Sequence, residues 1–249
     1  HSSLSRLTLL RGLFQQSQPI NKRFKARPHI LNVSKMGKHN HLVMEEGHME
    51  KLYNSRNPLV RCLHAGRLSA IAGNIPNKNN IKILDAGCGE GHLLEMLAKK
   101  NKSYKLFGAD VTDIALKHAR KRAKKARIAK QDLTNLKYRN KTFDVVICTE
   151  VIEHIYDYKK AISELKRVTK DNGTLIITSP NEFNLTIMRF FFGRKPIKTP
   201  DHVNSFDIKR MNKEVNLPLL KSFNLPINLP FSFSLVSVCM FTKKKQAYL

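Results

Sequence analysis

Apolar positions along the chain follow two different spacings. Between Asn57 and Gly73 they recur at helical intervals, with Leu59, Leu63 and Ala70 on one face. Pro58 suits a first turn, and Gly73-Asn74 then Pro76 supply the stop. From Ile81 onward the apolar residues gather into short continuous runs. Ile81–Leu84 predicts a buried strand, His92–Lys100 a helix with Leu93, Leu94 and Leu97 turned inward, and Leu106–Asp110 a second strand. Thr112 can cap a helix running to about Lys125, and a third strand is expected near Arg127–Ala129. Phe143–Cys148 is nearly all apolar, as a central parallel strand should be. Asp157–Val168 predicts a helix, Asp171-Asn172-Gly173 a turn and Thr174–Thr178 a fifth strand. Strand and helix alternate through residues 81–178, which is the pattern of βαβ units on a parallel sheet. After Pro180 the alternation stops. Helical segments are expected at Phe183–Phe192 and near Phe206–Val215, and the last apolar runs, Leu219–Phe223 and Phe231–Phe241, can close the sheet as a hairpin.

Composition narrows the class. At 249 residues and 41% hydrophobic the chain can build a real core, so wholesale disorder is excluded. No run of about 18 apolar residues exists, so a membrane-spanning helix is excluded as well. Cys62, Cys88, Cys148 and Cys239 lie far apart without any C-x-x-C, which argues against a disulfide scaffold or zinc knuckle and for a reducing, intracellular compartment.

The formal net charge is +26. A field of that sign attracts phosphate, whether on RNA, ribosomes or anionic lipid, so a polyanion partner is one expectation and a solvated lysine-rich surface the other. Residues 1–44 hold no acid and eight basic side chains. Residues 1–50 are therefore set apart as a basic extension, with the Ser, Arg and Leu content of a mitochondrial transit peptide. An engineered leader, a nucleic-acid arm, or sequence upstream of a start at Met36 are the alternatives. Residues 51–249 form the expected folded domain. Within it Lys117, Arg120, Lys121 and Lys124 make a basic stripe at helical spacing, read as a solvated face before an RNA-contacting one.

Asp85-x-Gly87-x-Gly89-x-Gly91 falls at a strand-to-helix turn, where glycines allow close approach of a ligand and a helix N-terminus offers free N–H groups. Asp110 ends the second strand, where a carboxylate can accept from both ribose hydroxyls, and Asp132 follows the third, where it can accept from an adenine amine. On these residues the chain resembles the class I S-adenosylmethionine-dependent methyltransferases. ILDAGCGEGHLLEML resembles their first motif, GADVT their second-strand acid, QDL their adenine-side motif and FDVVICTEVIEHI their fourth-strand motif, and the resemblance runs from about Asn57 to Val215. It implies an α/β fold: a Rossmann-like, mostly parallel seven-stranded sheet with a C-terminal antiparallel hairpin and helices on both faces. It also implies S-adenosylmethionine as cofactor, held by Asp85, Gly87, Cys88, Gly89, Gly91, Asp110, Val111, Asp132, Leu133 and Thr149. A nicotinamide-binding domain, the competing reading, is disfavoured by the glycine spacing.

Glu150, Glu153 and His154 follow the fourth strand and would share a face if they formed a first helical turn. Two carboxylates and an imidazole suit a hard-to-borderline divalent cation such as Mg²⁺. The constellation resembles ubiquinone-pathway O-methyltransferases and small-RNA 2′-O-methyltransferases. The second resemblance, supported by SPNEFN at Ser179–Asn184 and by Asp201-His202, implies His202 as a fourth ligand. In family members without metal, Glu150 lines the cofactor pocket and His154 serves as base or packs locally; His154 and Glu150 are the catalytic candidates. Residues 181–204 fall where the family inserts its substrate cover. There Phe183, Ile187 and Phe190 or Phe191 share a helical face near Arg189, Arg194, Lys195 and Lys198. They suit RNA, a lipid surface or a prenylated ring, or simply cap the core. The expected function is methyl transfer to an oxygen or nitrogen of a small or lipid-like acceptor. The alternatives are RNA methylation, or a ribosome- or complex-bound scaffold. The expected compartment is the cytoplasm, or the mitochondrial matrix if the N-terminal segment is a native transit peptide.

Overall fold

The predicted apolar runs become strands of one sheet, whose order sets the loops of the site on a common edge; residues 231–234 of the last run lie outside the described residues. The computed structural model describes residues 58–191, 202–225 and 235–243. The strands are β1 (Lys82–Ala86), β2 (Lys105–Asp110), β3 (Arg127–Lys130), β4 (Phe143–Thr149), β5 (Thr169–Pro180), β6 (Leu219–Leu225) and β7 (Val236–Thr242). The helices are α1 (Pro58–Gly73), α2 (His92–Lys100), α3 (Asp113–Arg122), α4 (Tyr158–Val168), α5 (Glu182–Phe191) and α6 (Ile208–Val215). Sheet order is β3-β2-β1-β4-β5-β7-β6. The first five strands pair in parallel, and β7 runs antiparallel between β5 and β6.

Strand pleating divides the core into two layers. Ile83, Val145, Ile147, Ile176, Val238 and Met240 pack against Leu68 and Ile71 of α1, Leu94 and Leu97 of α2 and Leu116 of α3. Their neighbours Leu84, Val146, Cys148, Leu175, Ile177, Cys239 and Phe241 pack against Leu165 and Val168 of α4 and Met211 and Val215 of α6. Both sheet faces are thus covered, and a fully buried Leu or Ile contributes about 1.5–3 kcal/mol relative to an exposed one. Cys88, Cys148 and Cys239 are buried, free thiols.

Local chemistry sets the helix ends. Asp157 Oδ1 accepts from the Lys160 N–H at 3.2 Å and Asp207 Oδ1 from the Arg210 N–H at 2.6 Å, each satisfying a first-turn donor of α4 and α6. At the other end of α1, Lys100 Nζ donates to the Ile75 carbonyl at 2.9 Å and to that of Ala72, and so fastens α2 to α1.

Three local expectations need correction. Asp171-Asn172-Gly173 is not a turn before a strand but lies inside β5. Asn172 takes a left-handed φ of 59° there, and the pairing steps from Phe143↔Thr169 to Val145↔Thr174, so three extra residues bulge out of β5. The Asn172 N–H donates to the Lys243 carbonyl, so β7 closes the bulge from the far side. The third helix ends at Arg122 rather than near Lys125, because the Ala123 N–H is the last to reach back one turn, so Lys124 lies beyond the helix that carries Lys117, Arg120 and Lys121. Finally, Phe183 and Phe190 do not cap the core: they are 71% and 63% exposed, with Ile187 at 39%. The arm of residues 1–50, Arg194, Lys195, Lys198 and Asp201, and the side chains of Leu59, Leu63, Arg189 and Phe191 lie outside the described residues. No helix among the described residues is long and apolar enough to cross a membrane.

Candidate active site

Parallel strands leave their carboxyl ends on one edge, where open α/β sheets bind ligands. Here β1 ends at Ala86, β2 at Asp110 and β4 at Thr149. The loop after β1 is pinned to the end of β2: the Gly87 and Cys88 N–H groups both donate to the Ala109 carbonyl, at 2.7 and 3.0 Å. Asp110 completes the clasp. Its Oδ2 accepts from the Gly89 N–H and its Oδ1 from the Thr112 N–H, each at 2.9 Å. One lone pair of each oxygen is thereby used to hold the turn, and the others remain for hydroxyl donors.

Two of the three glycines of this turn, Gly87 and Gly89, have different reasons to be glycine. Gly87 has φ +83°, and a Cβ there would stand 2.3 Å from Val151 Cγ2. Gly89 has φ +48°, and a Cβ there would meet nothing within 4 Å. The first is needed by packing, whereas the second faces open space beside the Asp110 carboxylate, which a ligand can occupy.

Beneath the turn lies Asp85, 3% exposed. Burial, reinforced by the neighbouring Asp110 charge, pushes its carboxyl up from 3.8 to about 7. A positively charged ligand would relieve that penalty, because an opposite charge favours the carboxylate. Burial and the same two acids also raise the Cys88 thiol. Asp132 uses Oδ1 to accept from the Thr134 N–H and hydroxyl, both at 2.7 Å, which fixes the loop after β3. Leu133 is buried in the layer shared with α4, Val111 is half-buried, and the Thr149 hydroxyl is buried without a hydrogen-bond partner. An open glycine turn, a ribose-competent carboxylate and a buried acid awaiting a cation suit S-adenosylmethionine.

A second group of side chains follows β4. Glu150, Glu153 and His154 do not form one helical turn. Glu150 has a left-handed φ of 53°, and a single 3₁₀ turn spans Ile152–His154. Glu150 is drawn aside: its Oε2 lies 3.0 Å from Arg67 Nη1 on α1, its Oε1 accepts from the Thr178 hydroxyl at 3.1 Å, and its N–H donates to that hydroxyl's oxygen at 3.1 Å. Glu153, His154 and His202 do come together, with one ligand atom of each lying within 4.8 Å of the others. The His154 and His202 rings meet edge to face, centroids 4.7 Å apart. The Val203 and Asn204 N–H groups both donate to the Glu153 carbonyl at 3.0 Å, and that pairing carries His202 across more than forty intervening positions.

Glu153 is 1% exposed, and neither carboxylate oxygen has a hydrogen-bond partner. Burial, then the charges of Glu150 and Glu182, holds its carboxyl well above 4.5, while Arg67 pulls the other way. Two buried acceptor oxygens beside two imidazoles are a donor set that can hold a divalent cation. Arg67, Thr178 and Glu182 were not apparent from the sequence. A basic side chain on the α1 face that also carries Leu68 and Ile71 was the available signal for Arg67.

Comparison with known proteins follows this geometry. A family model described as a methyltransferase domain matches residues 77–215. A Mycobacterium tuberculosis protein named a probable S-adenosylmethionine-dependent methyltransferase is 29% identical over 138 residues, 55% of this chain, which spans 46% of that relative's length. The ubiquinone biosynthesis O-methyltransferase of Rickettsia prowazekii is 29% identical over 180 residues, covering 65% of this chain and 68% of its own. Magnesium protoporphyrin IX methyltransferase from Synechocystis, solved with bound SAH, shares the fold at a TM-score of 0.58 and 19% identity, over 77% of this chain and 91% of its own. The βαβ sheet with its reversed final strand, the glycine turn clasped by Asp110 and the matched family model lead to one conclusion: the chain belongs to the class I S-adenosylmethionine-dependent methyltransferase family.

Proposed function

We propose that the protein methylates a hydroxyl oxygen of a small or lipid-like acceptor, assisted by a divalent cation held at Glu153, His154 and His202. The observation that carries this reading is the pair of unpartnered, buried Glu153 oxygens beside the two imidazoles. When bound, S-adenosylmethionine supplies an electrophilic sulfonium methyl, and the cation supplies Lewis acidity that eases loss of the acceptor's proton.

The chain's own contribution is positioning. Asp110 orients the ribose through the oxygen lone pairs that Gly89 and Thr112 leave open, and Asp132 stands at the adenine side. Asp85 carries compensating negative charge beneath the turn. Holding donor and acceptor in line accounts for much of the rate expected of such a transfer. Exposed Phe183, Ile187 and Phe190 on α5 give the edge beside Glu182 an apolar face, which favours an apolar acceptor over a polyanion. The relative named for ubiquinone biosynthesis supports the same choice.

The test incubates the purified chain with S-adenosylmethionine and either a quinol with an isoprenoid tail or a mixed small-RNA pool, with Mn²⁺, with Mg²⁺ or with EDTA. Methylated product is read by mass spectrometry. Cation-dependent methylation of the quinol supports the proposal. Methylation of RNA alone, or quinol methylation that EDTA leaves unchanged, overturns it.

A further inference from the structure

Of the two carboxylates expected at the cation site, the fold brings Glu153 to the histidine pair and holds Glu150 elsewhere. Glu150 lies after β4 in the expected place, yet Arg67 and Thr178 engage both of its oxygens. A different carboxylate, from the first residue of α5, stands at the histidine pair. Glu182 Oε1 contacts His202 Nδ1, while Glu182 Oε2 is buried and has no hydrogen-bond partner. Both side chains are largely enclosed, 16% and 10% exposed.

An ionised carboxylate can only accept a hydrogen bond, so His202 must carry its hydrogen on Nδ1 in this pair. The sole lone pair of the neutral ring is then on Nε2. Metal-ligating histidines regularly make such a bond to a carboxylate, which fixes the tautomer and raises ligand basicity. The surroundings call for the same compensation. Glu153 and Glu182 hold three buried oxygens without hydrogen-bond partners, and both acids stand beside His202. Among the described residues no side-chain donor is hydrogen-bonded to any of these three oxygens, and a cation beside them would compensate their charge.

Resting on the cation site proposed above, we infer that Glu182, rather than Glu150, completes that site: it is a positioning residue that holds His202 as an Nε2 donor toward a divalent cation shared with Glu153 and His154. Local structure supports this. The α5 start is set by buried Asn181, whose carbonyl accepts from the Leu185 N–H at 2.9 Å and whose side chain accepts from the Asn184 N–H at 3.3 Å. The Asn181 N–H is anchored in turn to the Leu235 carbonyl at 2.8 Å, so the residue before Glu182 is held on the sheet. The neighbouring Ser179 hydroxyl donates to the Phe206 carbonyl at 2.7 Å, which ties this strand end to the stretch that carries His202.

Mn²⁺ is the probe, because its free ion is counted directly by electron paramagnetic resonance and the mixed nitrogen and oxygen donor set suits it. The full chain, Glu182→Gln and Glu150→Gln are titrated, with thermal midpoints recorded in EDTA to exclude unfolding. Glu182→Gln is expected to weaken Mn²⁺ binding about 10–100-fold, the range for loss of such an orienting partner, with Glu150→Gln closer to the unaltered chain. Glu182→Asp should recover part of the loss. Nitrogen-detected NMR of His202 without metal gives a second readout: a hydrogen on Nδ1 in the unaltered chain and a mixture of tautomers in Glu182→Gln. If the unaltered chain binds Mn²⁺ and Glu182→Gln binds it equally well, this inference is overturned while the cation site stands. If the unaltered chain binds no Mn²⁺, the cation site itself falls and this inference with it.

Discussion

Arg67 on α1 and Glu150 after β4 form an enclosed ion pair, Nη1 to Oε2 at 3.0 Å, with side chains 8% and 21% exposed. The pair reaches from the N-terminal helix of the described fold to the strand end beside the cofactor turn. It gives Glu150 a cation of its own, and the same guanidinium partly offsets the burial of Glu153. One arginine therefore separates two acids that the sequence presents as equivalents.

Removing one member should cost more than removing both. Arg67→Leu leaves Glu150 enclosed without its cation, an expected loss of about 3 kcal/mol. At this domain size that corresponds to a fall of roughly 6–12 °C in Tm. Arg67→Leu combined with Glu150→Leu should recover much of the loss, because apolar replacement of an enclosed pair is often neutral. Calorimetric melting of the two single variants and the double variant closes the cycle. A double variant as unstable as the sum of the singles would show that the two side chains do not interact.

The two glycines should separate stability from affinity. Gly87→Ala drives a methyl into Val151 at a positive φ, so the variant is expected to melt well below the unaltered protein or to fail to fold. Gly89→Ala meets no protein atom, and its strain of about 1 kcal/mol should lower the Tm by only about 2–4 °C. Its methyl enters the space proposed for the cofactor. Calorimetric titration should find S-adenosylmethionine affinity reduced at least tenfold. Unchanged affinity would move the cofactor away from this turn.

Asp85 predicts opposite pH responses for folding and for binding. Its folded carboxyl titrates near 7 against 3.8 ordinarily, so between those values the folded chain holds a proton that the unfolded chain has released. Stability contributed by this group is therefore complete below about pH 4 and is lost as pH rises to about 7, to a total of roughly 4 kcal/mol. Binding of a cationic cofactor favours the ionised acid. S-adenosylmethionine affinity should then rise from pH 6 to pH 8, with proton release visible as a dependence of binding heat on buffer. Asp85→Asn should flatten both profiles, and an unaltered binding profile in that variant would assign the proton to another group.

His154→Ala should separate chemistry from cofactor binding. The ring stands with His202 and Glu153 rather than in the glycine turn. Turnover is expected to drop about 10²–10⁴-fold, the range for loss of assistance to proton removal, because the cation that His154 would help to hold gives that assistance; the S-adenosylmethionine dissociation constant should stay within about threefold of the unaltered protein. Wild-type turnover in the variant would remove His154 from the reaction.

The βαβ alternation was legible because parallel strands buried on both faces must be apolar throughout, and the runs at Phe143–Cys148 and Thr174–Thr178 satisfy that requirement. The glycine turn and Asp110 were legible because close approach and ribose recognition restrict residue type at fixed spacing. The Asp171–Gly173 bulge was not legible. Asp-Asn-Gly favours a turn locally, and only pairing of Asn172 with Lys243, seventy residues later, holds it in a strand. Glu150 was misplaced for a similar reason: periodicity puts it on a face with Glu153 and His154, but Arg67 and Thr178 come from distant parts of the chain. Glu182 carried no signal beyond its place in SPNEFN, since its partner His202 arrives only through backbone bonds to the Glu153 carbonyl.

The placement of β7 between β5 and β6 has a consequence for biosynthesis. β6 is translated first, yet its neighbour in the sheet is β7, so it must wait unpaired until residues near 236–242 leave the ribosome. During that interval the apolar rim of β5, from Leu175 to Ile177, is an open template for foreign strands. A chain arrested just before Val236 would be aggregation-prone although its cofactor turn is already made, so the demand on chaperones is concentrated between the emergence of β5 and that of β7.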